Sequence, residues 1–162
     1  MNLKKLFEMQ KVLDERIIID HELDGQDLLP NKYLALKVEI GELANEWQGF
    51  KHWKVDPQPK PGMLEEFVDC LHFILSIGLE LQFDINQHFL HSSFEIISLI
   101  DHFDIIFDQI SAVKLTQSID SYQTLLEFFL GLGERLGFTP EMIEKAYLVK
   151  NKVNHERQSE GY

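Results

Sequence analysis

Two acidic pairs, Glu39-Ile40-Gly41-Glu42 and Glu66-Phe67-Val68-Asp69, carry the clearest chemistry in the sequence. A spacing of three places both carboxylates of a pair on one helix face, about one turn apart. Neither pair reads as a solvated edge. Leu36, Ile40, Leu43 and Trp47 form one apolar stripe around the first pair, and Leu34 with Val38 forms a second. At about 100° per residue, Glu39, Glu42 and Glu46 project between those stripes. Around the second pair, Asp69, His72 and Ser76 are the clearly polar side chains from Phe67 to Leu79. A helix so apolar on all sides is expected to be buried, and its Asp69 must then be paired, protonated or bound to a cation. No Lys or Arg is interleaved in either pair. Hard divalent cations held through oxygen would relieve the repulsion among four such carboxylates. A di-iron carboxylate site would call for two Glu-x-x-His motifs on two helices. The sequence offers only Asp69-x-x-His72 near the pairs, which leaves His72 as a core histidine bonded to backbone or to a neighbour.

Two further stretches could meet an anionic ligand. The segment Trp47-Gln48-Gly49-Phe50-Lys51-His52-Trp53-Lys54 mixes aromatic rings with cations, fitting either a cap on the core or a stacking surface beside a phosphate site. Towards the C-terminus, Lys150, Asn154 and Arg157 are spaced at four and three and line one helix face. Cations also suit a helix C-terminus through its dipole. An amide between a point charge and a planar fork also makes a phosphate clamp.

These residues need helices to position them, and the sequence supplies them. Leu3, Leu6, Phe7, Gln10, Leu13 and Ile17 predict a first amphipathic helix that ends before His21. A second is predicted over about 31–47. Pro61 is placed to start a third reaching about Leu81. Asp84 or Asn86 would cap a fourth ending near Val113, with His88, His91 and His102 on its polar face. A fifth is predicted from Ser118 or Asp120 to Leu136, stopped by Gly137. Thr139-Pro140-Glu141 then opens a last helix running towards Arg157. No pair of alternating segments joined by hairpin turns is present. The expectation is a single all-α domain over 1–162: a bundle of about five to six helices with a four-helix metal-binding core.

The 162 residues suffice for a substantial core without staples. A net charge of −12 argues against a duplex nucleic-acid partner, which calls for a basic face. The single cysteine, Cys70, has no disulfide partner within the chain and reads as a small buried hydrophobe. With no secretory signal pattern and no apolar run long enough to span a bilayer, the expectation is a soluble, cytoplasmic protein with no membrane partner.

The acidic pairs, the Phe50-Lys51-His52-Trp53-Lys54 run, the segment from Asp69 through Ser76 and the ending Lys150-Asn151…Asn154…Arg157-Gln158…Gly161-Tyr162 together resemble the dimeric dUTPase family. That family belongs to the all-α nucleoside triphosphate pyrophosphatases. The resemblance covers the first half and the last sixth of the chain; the stretch 82–138 adds no motif and is left to core and dimer surface. It implies hydrolysis of dUTP to dUMP and pyrophosphate in a homodimer, with the active site near the subunit interface. Two or three Mg²⁺ ions, for which Mn²⁺ may substitute, would be held by Glu39, Glu42, Glu66 and Asp69. Glu39 and Glu42 would serve catalysis, with Glu39 orienting or deprotonating the water. Lys54, Lys150, Asn154 and Arg157 would bind the phosphates, and Trp53 would wall the pocket. The family reads the uracil edge with a Gln and an Asn on the first helix. Gln10 matches the former, but Asp14 stands at the latter. An inward Asp14 could accept from uracil N3–H but not donate to a carbonyl, loosening discrimination against dCTP. An outward Asp14 would pair with Lys11. Two alternatives remain at this level: a sibling pyrophosphatase acting on dCTP or non-canonical nucleotides, and a non-catalytic helical dimerisation module.

Overall fold

The computed structural model describes residues 1–83 and 97–161, which form six helices and no strand. Helix α1 spans Leu3–Asp20, α2 Leu29–Trp47, α3 Met63–Glu80, α4 Leu99–Thr116, α5 Ile119–Arg135 and α6 Pro140–Glu160. Side-chain caps set four of the starts. Asn2, Ser98, Ser118 and Thr139 each accept the backbone N–H three residues on, satisfying a donor that the first turn leaves unpaired.

Helix α3 is the axle of the bundle, packed against α1, α2, α5 and α6. Ten of its residues are buried, including Phe67, Cys70, Leu71, Ile74, Leu75 and Ile77. Its apolar character on every side thus has a direct structural counterpart. From α2, Leu36, Ile40 and Leu43 are fully buried and belong to the same core as α3. Two glycines allow rings to lie close to helix backbones. A Cβ on Gly133 would stand 2.5 Å from Phe67 Cζ, and one on Gly78 would stand 2.3 Å from the Tyr122 hydroxyl. Phe67 also stacks on Phe129 at 4.3 Å between centroids, tying α3 to α5.

Several boundaries differ from those read in the sequence. Pro61 does not begin α3. Lys60 donates its N–H to the Glu46 carbonyl, and Met63 donates to the Lys60 carbonyl, so residues 60–63 form a separate turn before the helix. Asp84, Asn86, His88 and His91 lie outside the described residues. The described part of the fourth helix begins at Leu99, because Ser98 is extended (φ −66°, ψ 158°) and no helix passes through it. His102 is buried, with Nε2 donating to the Phe128 carbonyl and Nδ1 accepting from Arg135. The last helix runs on past Arg157 to Glu160. The second apolar stripe of α2 is not core in the single chain: Leu34 is 66% and Val38 50% exposed.

Candidate active site

Packing α2 on α3 brings the two acidic pairs together. Ligand oxygens of Glu39, Glu42 and Glu66 all lie within 4.8 Å of one another. Asp69 is drawn aside by α6, where Lys150 Nζ lies 2.7 Å from its carboxylate and 2.8 Å from Glu65. The crowding has an electrostatic signature. Burial, then the charges of Asp69, Glu42 and Glu66, raises the Glu39 carboxyl to about 7. Burial and neighbouring carboxylates also raise Glu66. Asp69 is raised by burial despite its bond to Lys150. For Lys150, burial pulls the value down, but the bonds and charges of Asp69 and Glu65 outweigh it and raise it. An all-carboxylate oxygen cluster this close, with one ammonium at its edge, fits hard divalent cations.

Beside the cluster a cavity of about 660 Å³ opens between α1, α2, α3 and α6. Gln10, Asp14, Glu39, Asp69, Asn154 and Arg157 line it, so six of the eleven candidate residues converge there. Gln158, Asn31 and Phe73 share the wall. Lys150 is next to this cavity through Asp69. The aromatic loop is not brought to it. Trp53 is 64% exposed, edge-on to Phe50 and His52, and Lys54 donates to the Gln48 side chain.

The inner end of the cavity is a polar network joining three helices. Gln10 is buried, and its Oε1 accepts from Tyr147 OH at 2.7 Å and from His72 Nδ1–H at 2.7 Å. Its Nε2 donates to Asp14 Oδ1 at 2.7 Å, which leaves one amide hydrogen. Gln10 therefore has no carbonyl capacity left for a ligand donor, and only its remaining amide hydrogen can serve a base. Asp14 points inward. Ser76 Oγ donates to its Oδ2 at 2.6 Å, and Lys32 Nζ stands 3.7 Å away while pairing with Glu80. Lys11 pairs instead with Glu15, so the outward alternative for Asp14 does not hold. Burial raises the Asp14 carboxyl above its usual range.

His72, Ser76 and Lys32 also belong to this site and were not singled out for it by sequence. The spacing Asp69-x-x-His72 was the available signal for His72, and Ser76 continues that face by one turn. Nothing local marked Lys32, which arrives from α2. His72 stacks on Tyr147 with centroids 4.2 Å apart, and burial followed by the Lys150 charge lowers it to about 3. The neutral ring donates through Nδ1, so Nε2 is an acceptor. That buried Nε2 has no hydrogen-bond partner among the described residues, and His72 lines the cavity.

The raised carboxyls make metal-free stability depend on pH in a defined direction. A carboxyl whose folded value lies above its unfolded one takes up a proton on folding between the two, so stability rises as pH falls through the folded value. Lowering the pH from about 8.5 to about 7 should raise the Tm of protein in EDTA; His72 and His102, both lowered by burial, oppose this as the unfolded rings take up protons at lower pH. Calorimetry on Glu39→Gln should show a higher Tm at the alkaline end and a flatter slope. An unchanged slope in Glu39→Gln would remove Glu39 as the strained group.

No curated protein sequence matches the chain. A family model described as dUTPase matches residues 2–162, nearly the whole sequence, and its all-helical architecture agrees with the fold. The chain belongs to the dUTPase family, enzymes that hydrolyse dUTP.

Proposed function

We propose that this dUTPase is a Mg²⁺-dependent dUTP diphosphatase that releases dUMP and pyrophosphate. The observation that carries the reading is the clustering of Glu39, Glu42 and Glu66 at the rim of a nucleotide-sized cavity whose far end is lined with base-reading groups. Glu39, Glu42, Glu66 and Asp69 would hold two or three cations, with Mn²⁺ able to replace Mg²⁺. Bound there, the cations would neutralise phosphate charge and acidify a water. Among the chain's own groups, Glu39 is our choice for the carboxylate that orients the water and takes its proton, with Glu42 beside it. Of the three clustered carboxylates, Glu39 is the one that also lines the cavity, where it would face a water beside the phosphates. Asn154, Arg157 and Lys150 bind phosphate oxygens from α6. At the base end, the remaining amide hydrogen of Gln10 meets a carbonyl of uracil. The N3–H is met by Asp14 or by His72 Nε2, whose lone pair has no other partner among the described residues.

The assembly we propose is a homodimer of single-domain, cytoplasmic subunits. The exposed Leu34 and Val38 on α2 support a further interface. Trp53 and Lys54 lie outside the cavity of their own chain, so as substrate contacts they would reach the nucleotide of the second copy. No helix among the described residues is long and apolar enough to cross a membrane. The inward Asp14 favours a second reading as well, in which the 4-amino group of cytosine donates to the same carboxylate and dCTP is also cleaved.

Turnover of dUTP and dCTP, with and without Mg²⁺, tests the function. We expect dUMP and pyrophosphate from dUTP only with a divalent cation; equal rates in EDTA would overturn the metal reading. If Asp14 admits cytosine, Asp14→Asn raises the dUTP to dCTP ratio several-fold, and an unchanged ratio returns base selection to Gln10 and His72. Lys150 yields a sharper prediction, because its ammonium holds Asp69 and a cation must compete with it. Lys150→Met should tighten Mg²⁺ binding in the absence of nucleotide while lowering kcat/KM for dUTP by about tenfold or more. Calorimetric titration and steady-state kinetics read the two effects, and weaker Mg²⁺ binding would contradict the competition.

A further inference from the structure

The residues of α6 that face the cavity sit on the part of the helix least held by the core. The buried residues of α6 are Ile143, Tyr147 and Asn151, and from Lys152 onward every described residue is half-buried or exposed. Asn154, Arg157 and Gln158 line the cavity from that stretch. A helix end without apolar burial frays, so a different interaction must fix these side chains.

Arg16, from the last turns of α1, supplies it. Its Nη1 donates to the His155 carbonyl at 2.8 Å, and its Nη2 donates to Ser159 Oγ at 2.9 Å. Asp20, one turn on, takes Nε at 3.1 Å and holds the guanidinium fork in that orientation. His155 and Ser159 are four apart and form the face of α6 adjoining the one that carries Asn154 and Gln158. His21 adds a contact between its Nε2 and Gln158 Oε1 at 2.8 Å. One planar, always charged side chain thus grips the last turns of α6 at two points, which a lysine could not reproduce.

We infer that Arg16 is a positioning residue for substrate binding: by clamping His155 and Ser159 to α1 it holds Asn154 and Arg157 over the cavity, ready for the phosphates. This rests on the reading of Asn154 and Arg157 as phosphate contacts. Arg16 does not line the cavity, so its effect passes through α6. Packing alone would make Arg16 a matter of stability. Positioning makes it a matter of KM.

Steady-state dUTP kinetics on Arg16→Gln, Arg157→Ala and the double variant separate these roles, with Tm and Mn²⁺ affinity measured alongside. We expect Arg16→Gln to raise KM roughly tenfold with kcat within about twofold, and to leave Mn²⁺ affinity unchanged. The double variant should be worse than Arg157→Ala alone by clearly less than the product of the two single effects, since the changes share Arg157 and only the hold on Asn154 is left for Arg16→Gln to remove. Ser159→Ala, which removes one of the two Arg16 contacts and a local bond to the His155 carbonyl, should shift KM in the same direction by less and keeps the test valid if Arg16→Gln melts early. A raised KM in Arg157→Ala with a normal KM in Arg16→Gln and Ser159→Ala overturns the inference, as do effects that simply multiply. A normal KM in Arg157→Ala overturns the clamp reading itself, and the inference with it.

Discussion

Like charges are forced together where α2 packs on α3, and the site is built on that constraint. The seam is apolar and fully buried, with Leu36, Ile40 and Leu43 on one helix and Phe67, Leu71 and Ile74 on the other. Burying that much apolar surface is worth far more than the repulsion among a few carboxylates at its edge. The core therefore sets the helix register, and Glu39, Glu42 and Glu66 must accept the proximity it imposes. The protonation of Glu39 near neutral pH and the capture of Asp69 by Lys150 are two ways the metal-free chain relieves the strain. Divalent cations, where bound as proposed, would relieve it while leaving every carboxylate ionised. Strain kept at a functional site and offset by packing elsewhere is a general device, and here both sides of the balance lie on the same two helices.

The inner end of the cavity is rigid for a different reason. Gln10 connects α1 to α3 through His72 and to α6 through Tyr147, and it orients Asp14 on its own helix. Each of these polar atoms is buried or nearly so, and a satisfied buried network has few alternative arrangements. Among the described residues it leaves open the lone pair of His72 Nε2 and one amide hydrogen of Gln10. In the proposed function the same side chains would serve base recognition and fold, so changing Gln10 would disturb three helices as well as any ligand. The phosphate end is the opposite case, held by polar contacts at the end of a helix.

Much of this was legible in the residues. Six helices followed from apolar periodicity and caps, because Ser118 and Thr139 act within three residues of themselves. The carboxylate pairs could be placed on common faces because a spacing of three has one meaning on a helix. What could not be read depended on partners far along the chain. Asp14 looked equally able to face Lys11, and only the arrival of Ser76 and Lys32 turned it inward. Pro61 had the right chemistry to start α3, but the bond from Met63 N–H to the Lys60 carbonyl closes a separate turn there, with Lys60 tied back to Glu46. The grip of Arg16 on α6 spans about 140 residues of sequence, beyond any local signal. Trp53 and Lys54 carried a suggestive composition but point away from the cavity of their own chain.

Cations, rather than protons or Lys150, are the partners we propose for the crowded carboxylates. Titrating Mn²⁺ into metal-free protein while following the free-ion electron paramagnetic resonance signal tests it without any nucleotide or turnover. The account predicts saturable loss of the signal, to two or three ions per chain, at neutral pH. It also predicts that the loss is nearly abolished in Glu42→Gln, which retains the shape but not the charge of a cluster member. Binding by Glu42→Gln as tight as that of the unaltered protein, or no binding by the unaltered protein at millimolar Mn²⁺, would contradict it.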